Sequence, residues 1–349
     1  MVPATLACQM PSALCMRRMP GFPRLQESYD IVIVGGGHAG LQAGLKAALL
    51  HFSAVVVDRG PKYSRSYYSP RMDNIPGFPQ GISGHELLDR QIAALRAHED
   101  RVTYVTPARA TAARAVAEGF EVEFEWLKQP RTVRGKSLIL ALGVVDRIPS
   151  VGGKIDPIFP WANQALVLFC ELCDGHDLPG KSVAVLGSTA FTANLALELR
   201  HWGPASIEIL THGEPFLGEL PAPERTELER RLQEAGIPWT SGEMVGFDGI
   251  REKNFAVKFA DGTTRRFDRG FSGLGWYDMH GHLPQQLGAA FDADGYVQTD
   301  EDSRVISKET GRPIPGLYCV GDLRSGWNQI PEAWATAERA VIDVFAQSV

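Results

Sequence analysis

Between two apolar runs, Asp30-Ile-Val-Ile-Val34 and Ala54-Val-Val-Val57, the chain carries Gly35-Gly36-Gly37-His38-Ala39-Gly40, followed by the helical stretch Leu41 to Leu50. The order is strand, glycine turn, helix, strand. Each glycine has a separate task. Gly35 allows the tight turn, Gly37 lets the backbone approach a pyrophosphate, and Gly40 allows the helix to pack closely. The free amides at the helix start can then hold an anion. Asp58 ends the second strand, where a carboxylate can accept hydrogen bonds from an adenosine ribose. A lone glycine fingerprint would be weak, but here strand, helix and acid all fall in place.

A second β-α-β unit opens at Lys181, with Ser182-Val-Ala-Val-Leu-Gly187, a helix over Ala193 to His201, and Ser206-Ile-Glu-Ile-Leu210. The shape repeats but the glycines do not. Thr189 and Thr192 stand where the second and third glycine would be, and their β-branched side chains crowd the place a pyrophosphate would approach. After its second strand comes Thr211-His-Gly-Glu214, without an arginine cluster for a ribose 2′-phosphate or an acid at the strand end for a 2′-hydroxyl.

The 349 residues, 44% hydrophobic and 22% charged, suffice for two domains with separate cores. A net charge of −6 argues against a nucleic-acid partner, since a chain that neutralises phosphates normally carries a basic surplus. No apolar run is long enough to span a bilayer, and the proline-broken first 28 residues read as a loose tail rather than a signal peptide. A cytoplasmic location follows by default. Of five cysteines, Cys8 and Cys15 fall in the tail and Cys319 in an apolar strand, where a small core hydrophobe is the better reading. Cys170 and Cys173 form C-x-x-C beside a β-α-β pattern, which reads first as a redox centre; structural burial or a zinc site is the alternative.

These residues resemble the low-molecular-weight thioredoxin reductase family over about residues 29 to 349. Cys170-Glu-Leu-Cys173-Asp174-Gly175 matches the family's C-x-x-C-D-G. Asp73-Asn74-Ile-Pro-Gly77 resembles its E-N-x-P-G loop, and Leu138-Ile-Leu-Ala-Leu-Gly143 its A-T-G crossover, with Leu142 in place of threonine. Gly316-Leu-Tyr-Cys-Val-Gly321-Asp322 resembles its second FAD motif. The resemblance implies an α/β fold of two Rossmann-like domains, a discontinuous FAD domain with an inserted, degenerate NAD(P)-like domain carrying C-x-x-C. The expected boundaries are a tail over 1–28, FAD-binding segments over 29–149 and 277–349, and an insertion over 150–276, with hinge-like crossings near Asp146 and Gly275.

By the same resemblance FAD would be held by Gly35, Gly37, His38, Ala39, Gly40, Asp58 and Arg59, by Asn74 and Gly143, and by Gly321, Asp322, Gln329 and Ile330, with no metal. Cys173 would face the flavin, Cys170 would attack an external disulfide, and Asp174 would give or take the proton, unless it only caps a turn. The segment Tyr63-Ser-Arg-Ser-Tyr67-Tyr68-Ser-Pro-Arg71 departs from the family's FAD loop; its tyrosines, like Trp327, either stack on a planar ligand or pack on their own domain. The family normally takes hydride from NADPH. The eroded second turn makes NADPH a poor donor here and leaves ferredoxin as a candidate, with room for a second nucleotide or flavin in that crevice.

Three functions remain in view. The first is a flavin-dependent disulfide oxidoreductase acting on a thioredoxin-like protein or other dithiol, expected to be a homodimer. The second is a dithiol oxidase passing electrons to oxygen. The third is a non-enzymatic flavin-binding redox sensor, against which the retained C-x-x-C-D-G argues. The tail cysteines are held open as a second exchange pair.

Overall fold

The computed structural model describes residues 24–275 and 278–349. Cys8 and Cys15, the conceivable second exchange pair, lie outside them. The chain opens with β1 (Ser28–Val34), α1 (His38–Leu49), β2 (Ala54–Val57), α2 (Gly84–Arg96) and β3 (Val102–Val105). Three antiparallel strands follow, β4 (Ala108–Val116), β5 (Gly119–Trp126) and β6 (Gln129–Leu140), and then a two-residue strand, β7 (Val144–Val145). The middle of the chain forms β8 (Val167–Leu168), β9 (Ser182–Leu186), α3 (Ala190–Leu199), β10 (Ser206–Leu210), α4 (Ala222–Glu234) and β11 (Trp239–Thr240). A meander, β12 (Met244–Asp248), β13 (Phe255–Phe259) and β14 (Thr264–Phe267), leads to β15 (Arg269–Ser272) and to β16 (Asp278–Met279). The last segment supplies β17 (Arg304–Ile306), β18 (Pro313–Cys319) and α5 (Ile330–Ser348).

The largest sheet runs β17-β18-β6-β1-β2-β3, with β5 added on β6 and β4 on β5. Its strand β18 pairs in parallel with β6, so the end of the chain returns to the sheet that its beginning starts. The apolar run of β1 has a simple physical cause. Val32 and Val34 face one core, with Val55, Val57 and Leu138, while Ile31 and Ile33 face a second, under α1 and α5. A strand covered on both faces has no position for a polar residue.

The middle of the chain builds its own parallel sheet, β11-β10-β9-β15-β8, with the three-stranded meander beside it. Its cores form around Val183, Val185 and Phe271 on one side and Leu186, Phe255 and Val257 on the other. The two passages between the sheets are joined to each other, because β7 and β16 pair antiparallel, Val144 opposite Met279. This is the α/β architecture of two Rossmann-like units, one interrupted by the other, that the motif order implies. No helix among the described residues is long and apolar enough to cross a membrane.

Two helix starts differ from the sequence expectation. Helix α1 begins at His38, directly on the glycine turn. Helix α3 begins at Ala190 rather than Ala193, because the Thr189 amide donates to Thr192 Oγ1 at 3.1 Å and closes the first turn. Threonine's poor interior propensity hides this, whereas at a helix start its hydroxyl is an asset.

Candidate functional site

A cavity of about 580 Å³ opens between the two sheets, and segments from before and after the inserted sheet line it together with the C-x-x-C pair. Every residue singled out as cofactor-binding or catalytic in the sequence lines this cavity except Gly40, which lies inside the first turn of α1. Gly40 has a packing role. A Cβ there would come within 1.8 Å of the Gly35 carbonyl oxygen, and one on Gly35, at φ +106°, within 2.2 Å of the Ala141 carbonyl. A Cβ on Gly37 would meet only Ser64 Oγ, at 3.7 Å, so this glycine keeps the backbone open to the cavity. The α1 N-terminus carries no side-chain cap. Its positive end therefore faces the cavity, as an anion site requires.

Asp58 is buried at the end of β2, where Oδ1 accepts from the Gly36 amide at 3.0 Å and Oδ2 from the Tyr104 hydroxyl at 2.7 Å. Burial pushes its carboxyl up, and these bonds pull the other way. His38 is buried too; Nδ1–H donates to Gln91 Oε1 at 2.5 Å and Nε2 accepts from Ser66 Oγ at 2.7 Å, in the assignment these partners favour. Burial lowers its pKa, so it is a neutral ring beside the anion site. Arg59 lies over the Tyr63 ring, 4.1 Å from its centroid. On the far side of the chain, Gly321 takes φ +69° and donates to Thr336 Oγ1 at 3.0 Å; a Cβ on it would sit 2.9 Å from Ala39 Cβ. The two glycine-bearing segments are thus in contact. An open helix terminus, a buried acid at the end of β2, and a second glycine-aspartate turn against the first fit an extended dinucleotide such as FAD, which these residues would hold.

Cys170 and Cys173 are joined as a disulfide. Cys170 is the N-cap of a one-turn helix, and its Sγ accepts from the Cys173 amide at 3.2 Å. Gln329 Nε2 donates toward Cys173 Sγ at 3.4 Å and Cys170 Sγ at 3.6 Å, while its Oε1 accepts from Asn74 Nδ2 at 3.0 Å. One glutamine therefore ties the disulfide to both of the outer segments. His176 Nε2 lies 3.1 Å from Asp73 Oδ2 and makes a second link to the Asn74 loop. Burial pushes the Asp174 carboxyl up to about 7, against the pull of His176 and Arg65. A carboxyl raised to that region can both give and take a proton at neutral pH.

Sequence reasoning missed several residues of the site. Arg65 Nε lies 2.9 Å from both oxygens of Asp146, just past β7, and its Nη1 is 3.5 Å from Asp322 Oδ2. Burial raises the Asp322 carboxyl and Arg65 opposes it. The departure of residues 63–71 from the family's loop was the available signal. Within that segment Tyr68 lines the cavity and packs on Phe159, centroids 5.9 Å apart, whereas Tyr67 packs on Tyr68, His85 and the core under α1. Trp327 is 73% exposed. His280 and His282 also line the cavity, without any motif to mark them. Cys319 is buried in β18, which pushes its thiol up to about 12 and makes it inert.

The turn of the second β-α-β unit is different. Gly187 has the φ of +145° expected of such a turn, but the amides that follow it have protein partners. Thr189 N–H donates to Thr192 Oγ1, and Ala190 N–H donates to Glu219 Oε1 at 2.6 Å. Thr192 Oγ1 in turn donates to the Gly273 carbonyl at 2.6 Å. The Glu219 segment is held in place by Leu217, whose side chain is buried in the core and whose amide donates to the Ser188 carbonyl at 2.7 Å. A carboxylate of the protein thus lies where an anion would be received.

The fold and this cavity define a class, a flavin-dependent disulfide oxidoreductase of the thioredoxin reductase-like kind. The chain belongs to the pyridine nucleotide-disulphide oxidoreductase family, which matches residues 29–340. It is 22% identical over 304 residues to a thioredoxin reductase of Treponema pallidum, covering 86% of this chain and 91% of that one. Among solved structures it resembles HlmI, with a TM-score of 0.75 at 20% identity and 94% of each chain covered. It also resembles thioredoxin reductase from Streptococcus pyogenes, with a TM-score of 0.73 at 19% identity, over 93% of this chain and all of that one (100%). At these identities the structural likeness speaks for the fold.

Proposed function

We propose that the protein exchanges two electrons between a bound flavin and the disulfide of a thioredoxin-like protein by way of Cys170 and Cys173, and that it does not draw them from NADPH. The observation that carries the first half is the shared cavity, lined by the disulfide, Asp174 and both glycine-bearing segments. FAD would supply the two-electron carrier. The chain's own residues supply the rest. Cys170 is the sulfur that meets the external disulfide, and Leu172 beside it, 53% exposed, offers that partner an apolar contact. Asp174 takes or returns the proton of the departing thiol, which its value near 7 permits at neutral pH.

The observation behind the second half is Glu219. Its carboxylate on the Ala190 amide repels a pyrophosphate from the α3 terminus, and Thr192 occupies the neighbouring amide. The same contacts count against a second nucleotide bound by its phosphates at that turn. Ferredoxin, which needs no crevice, suits this arrangement as the electron source, and a homodimer in the cytoplasm remains the expected setting. The test is anaerobic bleaching of the bound flavin by NADPH, NADH and reduced ferredoxin side by side. Ferredoxin should bleach it and the nucleotides should not; rapid bleaching by NADPH would reject the second half. Peroxide released on adding dithiols in air would redirect the reading to an oxidase.

A further inference from the structure

Among the described residues, Gln329 is the side chain of the last segment that hydrogen-bonds to the disulfide. Sulfurs joined in a disulfide carry no proton, so at 3.4 Å from Cys173 Sγ and 3.6 Å from Cys170 Sγ only the amide N–H of Gln329 can donate. The Asn74 Nδ2 donor on Gln329 Oε1 holds the amide in that orientation and polarises it further. The two sulfurs are not served alike. Cys170 Sγ has the Cys173 backbone amide at 3.2 Å, while Gln329 is the donor nearer to Cys173 Sγ.

We propose that Gln329 is a positioning residue that stabilises the thiolate of Cys173 when the disulfide opens, and so sets the redox poise of the pair. The step can be written with an external dithiol as reductant. One thiolate of the dithiol attacks Cys170 Sγ, the Cys170–Cys173 bond breaks, and Cys173 leaves with the electron pair. The second thiol of the reagent then loses its proton and displaces Cys170, closing the reagent's own disulfide. Cys170 leaves as a thiolate and takes up the proton that the reagent's second thiol gave up. The dithiol has lost two electrons, the pair has gained them, and the protein holds one thiol at Cys170 and one thiolate at Cys173; the one proton released to solvent is that lost when the attacking thiol of the reagent ionised. Asp174, next in sequence, becomes a second negative charge when ionised. A donor on the opposite element is what makes a Cys173 thiolate tolerable beside it.

This inference rests on the disulfide-exchange half of the proposed function and is independent of the electron donor. It is tested on FAD-loaded full-length protein equilibrated anaerobically with dithiothreitol, following the dithiol-to-disulfide ratio and the thiolate absorbance against pH. Gln329→Glu replaces the donor with a carboxylate and should shift the exchange equilibrium about tenfold toward the disulfide, about 30 mV more negative, and raise the pH at which the thiolate appears. Gln329→Leu should move both in the same direction by less. Asn74→Leu, which frees the amide without removing it, provides a third variant should either substitution at 329 prevent FAD loading, and should give a smaller shift of the same sign. Loaded variants that titrate like the wild type would overturn the inference while leaving the exchange chemistry intact. A wild-type pair that does not equilibrate with the dithiol at all would overturn both.

Discussion

Arg65 holds Asp146 with its Nε 2.9 Å from both carboxylate oxygens, and so joins the loop after β2 to the passage into the inserted sheet. Each side chain is 19% exposed, and the same guanidinium faces Asp322. The pair sits where the two halves of the molecule meet, so its strength bears on how the disulfide is presented to the cavity. Removing Arg65 leaves two carboxylates close together without their cation. Arg65→Leu should cost about 2–4 kcal/mol in denaturant unfolding, at the level of breaking a largely buried pair, and Arg65→Lys about half of that because an ammonium cannot face Asp146 and Asp322 with separate nitrogens. A variant as stable as the wild type would show the contact to be incidental.

Asp174 makes a pH-dependent contribution of defined sign. Its folded value, about 7, lies above the ordinary carboxylate value of 3.8, so the folded state holds the proton more tightly than the unfolded chain. The contribution is intact below pH 3.8, is lost as pH rises toward 7, and is constant above that. Asp174→Asn should therefore stabilise the protein by about 1–3 kcal/mol at pH 8 and leave it nearly unchanged at pH 4. Its disulfide exchange should lose the inflection near pH 7. Urea midpoints and exchange rates across pH 4–9 measure both.

The glycines of the first turn should separate packing from binding. Gly40→Ala drives a methyl into the Gly35 carbonyl and should cost about 3 kcal/mol or more, with FAD lost as a consequence. Gly37→Ala meets nothing closer than Ser64 Oγ at 3.7 Å. It should leave the apoprotein's thermal midpoint unchanged and weaken FAD retention by about tenfold, ~1.4 kcal/mol. Dye-reported melting and flavin release on dilution distinguish the two.

Glu219 should prove to be a cap as well as an obstacle. Glu219→Ala removes the acceptor on the Ala190 amide and should lower stability by about 1 kcal/mol. Nucleotide binding should stay weak, since Thr192 Oγ1 still holds the neighbouring amide. Calorimetric titration of this variant with NADPH checks the second point.

What could be read from the sequence was whatever is local. Gly35, Gly37, Asp58 and the C-x-x-C-D-G run each lie within one β-α unit or turn, where spacing and backbone geometry decide position. The contacts that give the site its character join residues far apart in the chain. Arg65 and Asp146 are 81 positions apart, Ala190 and Glu219 29, and Cys173 and Gln329 156. No periodicity or motif carries such pairings; they follow from how the two sheets are set against each other. The erosion of the second turn was visible in Thr189 and Thr192. That Thr192 and a glutamate replace the anion was not.

In the proposed function, Cys170 and Cys173 carry electrons between the bound flavin and an external protein disulfide. Dithionite-reduced, FAD-loaded protein mixed anaerobically with oxidised thioredoxin tests it most directly, by the return of flavin absorbance near 450 nm alongside free thiols on thioredoxin. The wild type should reoxidise with two thioredoxin disulfides reduced per flavin, one for the Cys170–Cys173 dithiol and one for the flavin, and Cys170→Ser should stay bleached. Reoxidation of the Cys170→Ser protein at the wild-type rate, or a wild type that stays bleached, would contradict the account.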